Sequence, residues 1–293
     1  MSAFAGESSA ALISEGRLAA FAREDRFAPE PAGVPWRAAS WCLSRAGLSG
    51  RELDAVALAH EPLRAAGRIL SAGFAYAPSG WERFSREAGS RSGDLALGSR
   101  LRARLGFSGP LIRIERPLAL ATAACAGAGF ERAAVIAAGA RGEWADCALG
   151  SAQAGDVELS ARLEYPHSLA FLCDALRWAT GLAWPEFDAA AAKGRPRLAE
   201  TLARSLADLK ADGSLRLDMG YFDFGSSMRP ASERLLALVR AEPAEDVAAS
   251  ALALMSETLA RMGAEARRIS RADDVCVAGA RAGGAAARPA RRV

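Results

Sequence analysis

The chain has 293 residues, with 37 Lys and Arg against 34 Asp and Glu and 51% hydrophobic residues. This composition excludes a wholly disordered chain. The length is sufficient for one large or two smaller domains. The formal charge of +3 depends on four arginines in the last thirteen residues, without which the chain stands at −1. A nucleic-acid surface spread over the fold is therefore not expected.

Cysteine use and hydropathy indicate a protein of a reducing compartment. The five cysteines show no CxxC or other short metal-binding spacing and lie mostly among apolar neighbours. The segment before Arg17 has no basic region and contains Glu7 and Glu15, which argues against a secretory leader. Charged residues interrupt every apolar run before it reaches membrane-spanning length. We expect a cytoplasmic protein without a membrane partner.

The first half of the chain begins with a predicted hairpin. Glu15-Gly16 is a turn pair between the apolar runs Ser9–Ser14 and Arg17–Arg23. Helical spacing over Trp36–Ala46, ended by Gly47, predicts a capped helix. The pattern then predicts a strand over 53–59, an amphipathic helix over 82–105 interrupted near Gly93, a strand over 111–115 and a helix over 119–126.

The second half continues with strands and helices in alternation. Strands are predicted over 133–138, 144–151, 157–164, 215–219 and Val275–Ala278, and helices over 168–180, 198–210, 230–239 and 245–267. This order predicts a mixed α/β fold. Its core is expected to include Val56, Leu58, Ile112, Val135 and Ile136. No internal sequence repeat of 20 to 50 residues is evident.

Several passages follow the order found in one protein family. They are GESSAALISEGRLAAFAREDRF (6–27), RGEWADCALG (141–150), YPHSLAFLCDALRWATG (165–181), DLKADGSLRLDMGYF (208–222), RPASER (229–234) and EDVAASALALMSETLARM (245–262). Together they resemble the O-carbamoyltransferases of nodulation-factor and antibiotic biosynthesis, over nearly the whole chain and in collinear order.

The resemblance implies a fold and a domain plan. The expected fold is an actin-like ATPase lobe of the ribonuclease H-like type, with a mixed sheet flanked by helices. Residues 1–240 would form this lobe, 241–280 would be the helix and strand that begin a truncated second lobe, and 281–293 a disordered Arg-rich tail. The carbamoyl-adenylate-forming domain that family members carry has no counterpart in this sequence.

The resemblance also implies a chemistry whose key positions are altered here. Family members use ATP, carbamoyl phosphate and a divalent metal, which polarises the carbonyl and neutralises phosphate charge. The two histidine ligands fall on Arg116 and Leu120, and an aspartate ligand falls on Ala138. The opening His-Asp pair is replaced by Gly6-Glu7. None of the side chains of Arg116, Leu120 and Ala138 can bind a metal, so we expect a degenerate site without metal or cofactor.

Two other positions remain candidates for a role in the site. His167 either contacts a substrate or caps the helix that begins near Ser168, and capping is the favoured reading. Glu143 is either a turn acid or a surviving site residue, and Trp144 beside it is expected in the core. His60 matches no functional position and is expected at the surface.

Two function hypotheses follow from the resemblance. A third possibility is a decaying gene whose product is not used. In the first, the chain is a catalytically impaired carbamoyltransferase relative that acts as a partner or scaffold. In the second, it is an active O-carbamoyltransferase subunit whose missing domains lie on another chain. The helix over 245–267 carries apolar residues around its circumference. We therefore expect it to be buried in a homodimer or in a complex with a full-length relative.

Overall fold

A computed structural model describes residues 1–3, 8–27, 33–138 and 143–279. Within this part of the chain the strands are β1 (Ser9–Ser14), β2 (Arg17–Arg23), β3 (Val56–Leu58), β4 (Leu111–Arg113), β5 (Arg132–Ala138), β6 (Ala145–Gln153), β7 (Asp156–Glu164), β8 (Ala207–Leu209), β9 (Leu215–Leu217) and β10 (Val275–Ala278). The α-helices are α1 (Trp36–Ala46), α2 (Pro62–Ala75), α3 (Trp81–Arg91), α4 (Leu97–Leu105), α5 (Arg116–Ala128), α6 (Leu169–Thr180), α7 (Trp184–Ala191), α8 (Ala199–Leu206), α9 (Glu233–Val239) and α10 (Ala244–Ser270).

The chain folds into two compact units. The first contains Met1–Ala66 and Gly89–Arg116, and the second contains Gly67–Ala88 and the chain from Pro117 onward. Helix α10 and strand β10 thus lie in the same unit as β5, β6 and β7. This division differs from the expected domains 1–240 and 241–280, which remain a prediction from the resemblance. The expected tail, 281–293, lies outside the described residues.

The first unit opens with the hairpin that the sequence predicts. Strands β1 and β2 pair antiparallel, and Glu15 and Gly16 take positive φ angles at the turn. Alternate residues of both strands are buried against α1, because successive side chains of a strand point to opposite faces. Helix α1 ends at Gly47, whose φ of 68° allows its amide to cap the last turn. The predicted hairpin and helix are both confirmed.

A short N-terminal segment joins this hairpin to the second pair of strands in the unit. The Met1 amine donates to the Ala57 carbonyl at 2.7 Å, and the Ala59 amide donates to the Met1 carbonyl at 2.9 Å. Ser2 forms an antiparallel bridge with Ser9. Strand β3 in turn pairs in parallel with β4.

The core prediction for this first unit is only partly correct. Val56 and Leu58 are buried, but Ile112 is 49% exposed, so the prediction for Ile112 is wrong. The reason is register: Ile112 pairs with Ala57, which is also exposed. Both side chains occupy the strand face opposite the one that holds Val56 and Leu58.

The second unit is built on a four-stranded mixed sheet in the order β10-β5-β6-β7. Strand β10 is parallel to β5, whereas β6 is antiparallel to both β5 and β7. Strand β5 is buried on both faces: Ile136 joins the large core, and Val135 packs with Ala121 of α5. The predicted mixed α/β class with helices flanking the sheet is confirmed, as is burial of Val135 and Ile136.

Helix α10 lies across this second unit and is covered by its own chain. It packs against α6, α7, α8 and strands β5 and β6. Val247, Leu254, Met255, Leu259 and Met262 are all buried there. The apolar residues around α10 are explained by burial within its own chain, because a helix that is apolar on all sides is an internal one. They therefore give no reason to expect a second chain on this helix.

One predicted helix ends earlier than the pattern suggests. Helical spacing predicted a helix over 198–210, but α8 stops at Leu206 and Ala207 takes an extended conformation. Residues Ala207–Leu209 instead form β8, which pairs antiparallel with β9. The pairing of two strands across the turn at Gly213 replaces the helical hydrogen bonds, and helical periodicity does not report it. Helices α2 and α7 were not predicted.

Candidate functional site

One edge of the four-stranded sheet gathers the residues singled out in the sequence. Strand β5 ends at Ala138, opposite Cys147 of β6, and Ala145 at the start of β6 is opposite Glu164 at the end of β7. Glu143-Trp144, the described part of the GEW motif before β6, and the YPHS motif after β7 therefore meet at this edge, as does the end of the parallel strand β10 beside β5. We call this region the sheet edge.

Trp144 ties the two motifs together. Its indole Nε1–H donates to Glu164 Oε2 at 2.9 Å, and its carbonyl accepts from the Tyr165 amide at 2.9 Å. Its ring is near Gly67 of α2, where an added Cβ would lie 4.0 Å away. Glu143 is only 5% exposed, and its role as a turn acid or as a site residue stays a prediction. Trp144 is only partly buried and belongs to none of the apolar clusters of the described residues, so its expected place in the core is not confirmed.

His167 accepts a hydrogen bond from strand β9 of a neighbouring hairpin and does not cap a helix. Ser168 is the N-cap of α6, and its Oγ accepts from the Phe171 amide at 3.2 Å. His167 Nδ1 accepts from the Leu217 amide of β9 at 3.2 Å. The capping prediction for His167 is therefore wrong. Since Nδ1 accepts, the neutral ring carries its proton on Nε2. Burial, followed by the charge of Arg216, lowers the pKa of His167.

A buried arginine behind the sheet edge was not found from the sequence. Arg68 of α2 is 8% exposed, and its Nη2 pairs with Glu87 Oε1 at 2.5 Å. Its guanidinium lies over the Tyr165 ring, 5.2 Å from the centroid, which is a cation–π geometry. Burial raises the pKa of Tyr165 to about 12. The two groups contact each other only in the fold, so no local pattern marked them.

The aromatic side of the same cluster is packed. The Tyr165 ring meets Phe171 edge-on at 5.8 Å and Phe224 at 6.2 Å. Arg68 Nε and Tyr165 Oη are buried without a hydrogen-bond partner in the described part of the chain. A phenol with a raised pKa stays protonated at neutral pH, so Tyr165 is suited to donate a hydrogen bond and not to act as a base.

The positions expected for metal ligands hold side chains that do not fit a metal. Arg116 is the first residue of α5, and its Nη2 donates to the Ala3 carbonyl at 3.0 Å. Leu120 lies one turn further along the helix and Ala138 is the last residue of β5. Glu7 lies outside the described residues. Within the described ranges, no group of three or more His, Cys, Asp or Glu is placed to hold a metal ion.

Other titratable groups have structural partners. His60 is 1% exposed and its Nε2 is 3.1 Å from Asp94 Oδ2, so the surface prediction for His60 is wrong. Burial raises the pKa of Cys147, and the charge of Asp146 adds to this effect. Burial and a hydrogen bond with Cys125 raise the pKa of Cys276 to about 12. Thiols with raised pKa values are poor nucleophiles.

Comparison with known proteins gives a distant relative that covers nearly the whole chain. No protein-family model matches the chain. The protein sll1178 of Synechocystis sp. (strain ATCC 27184 / PCC 6803 / Kazusa), described only as uncharacterized, is 28% identical over 304 residues. The aligned region covers 95% of this chain and 49% of that protein, so the chain spans about half the length of its relative. Among the helices that the structure describes, none has the length and hydropathy to cross a membrane.

Proposed function

We propose that this chain is a non-catalytic relative of the O-carbamoyltransferases that acts by associating with another protein. The proposal rests on the hydrogen bond that Arg116 makes. At the position of a histidine ligand in the resembling family, a permanently charged guanidinium donates to the Ala3 carbonyl at 3.0 Å. A fixed positive charge would repel a divalent cation there. The residue contributes to the structure of the chain instead of metal chemistry.

Strand order supports the actin-like assignment. In the second unit the order is β7-β6-β5-β10, with three antiparallel strands followed by one parallel strand. The first unit has the corresponding order, which is β2, β1, the Met1–Ala3 segment, β3 and β4. This is the order of ribonuclease H-like units, two of which make an actin-like fold. Among the described residues the second unit has no strand equivalent to β4.

The surface of the second unit supports a protein partner. Phe74 at the end of α2 is 82% exposed, Trp81 at the start of α3 is 66% exposed and Leu70 is 50% exposed. These three side chains, here called the hairpin patch, lie within Gly67–Ala88. Large exposed apolar side chains are typical of association surfaces. The patch takes the place of α10 as the surface on which a second copy or a full-length relative would bind.

Metal content tests the catalytic part of the proposal. The protein is dialysed after exposure to Fe²⁺, Mn²⁺ or Zn²⁺, and metal per chain is measured. We expect well under one ion in the natural sequence and no gain in the Arg116→His, Leu120→His double variant. A triple variant that adds Ala138→Asp should gain metal, because it supplies the third ligand. Stoichiometric metal in the natural chain would contradict the proposal, and carbamoyl transfer when an adenylating domain is added would establish the active-subunit alternative.

Sedimentation velocity tests the association part. At tens of micromolar we expect either a dimer or, on addition of a full-length carbamoyltransferase, a mixed complex. Phe74→Glu with Trp81→Glu should abolish the association, whereas Ser71→Glu, an exposed control on the same helix, should leave it unchanged. A monomer that also ignores the full-length protein would contradict the proposal.

A further inference from the structure

Two cysteines of the second unit lie on the facing sides of helix α5 and strand β10. Cys125 is in the last turn of α5, and Cys276 is in β10, the outermost strand in the order β10-β5-β6-β7. Among the described strands, β10 pairs with β5 alone. A bond between the two cysteines would therefore join the helix to the edge of the sheet.

The register of the sheet decides which way Cys276 points. Cys276 is paired with Val135 of β5, and paired residues of neighbouring strands share a face of the sheet. Val135 packs on that face with Ala121 of α5. Val275 and Val277, on either side of Cys276, pack instead against the large core on the opposite face. The thiol of Cys276 therefore points toward α5.

Helix α5 brings the second thiol to the same place. Cys125 follows Ala121 by one helical turn, so it lies on the same side of α5, and it packs against the cluster that contains Val135. A hydrogen bond joins the Cys125 and Cys276 thiols. Cys276 is 5% exposed, whereas Cys125 is partly exposed. A reagent from solution can therefore reach Cys125 first, with Cys276 in contact behind it.

The other three cysteines are placed differently. Cys42, Cys147 and Cys173 are all buried. The Cys42 thiol donates to the Ala10 carbonyl at 3.5 Å, and the Cys173 thiol donates to Met255 Sδ at 3.7 Å. Packed side chains cover these three thiols, so they provide an internal comparison for the partly exposed Cys125.

We propose that Cys125 and Cys276 form a reversible disulfide, which ties β10 to α5, when the protein meets a small-molecule disulfide such as oxidised glutathione. Transient disulfides of this kind serve redox sensing in reducing compartments. The bond fixes the outermost strand to the helix that packs on its neighbour β5. This device is independent of the proposed function.

The bond forms by two thiol–disulfide exchange steps. The Cys125 thiolate attacks one sulfur of the small disulfide, releases one thiol and forms a mixed disulfide. Burial raises the pKa of Cys276 to about 12, so this poorer nucleophile takes the second step, in which its target is already in contact. Cys276 Sγ attacks Cys125 Sγ and releases the second thiol. Two protein thiols are oxidised, one small disulfide is reduced to two thiols, and the two protein protons pass to the released thiolates.

Thiol counting after incubation with oxidised glutathione tests the proposal. We expect two of the five cysteine thiols to be lost, and mass spectrometry of the digested protein should show a peptide linked through Cys125 and Cys276. Dithiothreitol should restore all thiols. Amide hydrogen exchange in β10 should slow on oxidation, because the strand is then held at a second point.

Three variants make the test decisive. Cys125→Ser and Cys276→Ala should each abolish both the linked peptide and the slower exchange, and Cys125→Ser does so at a partly exposed site that tolerates a side chain of similar size. Cys42→Ala, in the first unit, is the control and should lose two thiols like the natural chain. Retention of all thiols, a link through other cysteines, or a lasting glutathione adduct on Cys125 alone would overturn the proposal.

Discussion

The apolar interior of the first unit consists of small clusters beside a buried His60–Asp94 contact, whereas the second unit has an extended apolar core. In the first, His60 and Asp94 face each other at 3.1 Å with side chains 1% and 5% exposed, and Arg91 reaches the same carboxylate at 3.2 Å. In the second, α10 and Phe187 belong to an extended apolar core beside the sheet. The comparison teaches that the smaller apolar clusters of the first unit gain less from burial, so the loss of one partner of its His60–Asp94 contact should weigh heavily there.

This difference has a physical basis in the size of the elements. Strands β3 and β4 of the first unit have three residues each, so they bury few side chains. The second unit has nine-residue strands and a 27-residue helix to cover them. Burial of apolar area contributes roughly 25 cal/mol per Å², and a small interior gains less from it.

The largest expected effect is in the second unit. Phe187→Ala removes a fully buried ring of α7 and should lower the free energy of unfolding by about 3–5 kcal/mol. Amide hydrogen exchange should show the loss of protection in α6, α7 and α10. Phe130→Ala, at a site 45% exposed, is the matched control and should cost far less. Equal losses for the two variants would break the comparison.

A somewhat smaller effect is expected in the first unit. Asp94→Ala leaves His60 and Arg91 without their shared carboxylate and should cost about 3 kcal/mol, as expected when one partner of a buried pair is removed. Exchange should rise in α4 and around β3. Asp54→Ala, an exposed aspartate of the same unit, is the control. Loss of protection confined to the second unit would contradict the role given to this ion pair.

The smallest effect concerns pH and the contact between His167 and β9. Burial and the Arg216 charge lower the pKa of His167 below its usual 6.5, so the unfolded chain binds the proton more readily than the folded one. The stability from this contact is fully present above pH 6.5 and is lost as pH falls through the lowered folded-state value. A titration of unfolding free energy between about pH 8 and pH 5 measures this.

The control for that titration is a variant that keeps the hydrogen bond to the Leu217 amide but has no titratable side chain at position 167. His167→Asn offers an amide oxygen to the Leu217 amide and should flatten the pH dependence. A variant that titrates like the natural chain would assign the pH dependence to other groups.

Local sequence determined the elements whose cause is local. The hairpin of β1 and β2 follows from alternation around Glu15-Gly16, and α1 follows from apolar spacing that ends at Gly47. Strand β10 matches its predicted bounds, Val275–Ala278. In each case the turn, the cap or the alternation lies within a few residues of the element it shapes.

Only the tertiary structure decided the features that depend on distant partners. His60 meets Asp94 34 residues along the chain, and His167 meets the Leu217 amide across 50 residues. Strand β8 exists because β9 pairs with it, and Ile112 is exposed because its face of β4 is uncovered. The substitutions at Arg116, Leu120 and Ala138 could be identified in the sequence, whereas the Arg68–Tyr165 contact could not. Residue type sets what a side chain can do, but burial and partners come from chain segments that no local pattern brings together.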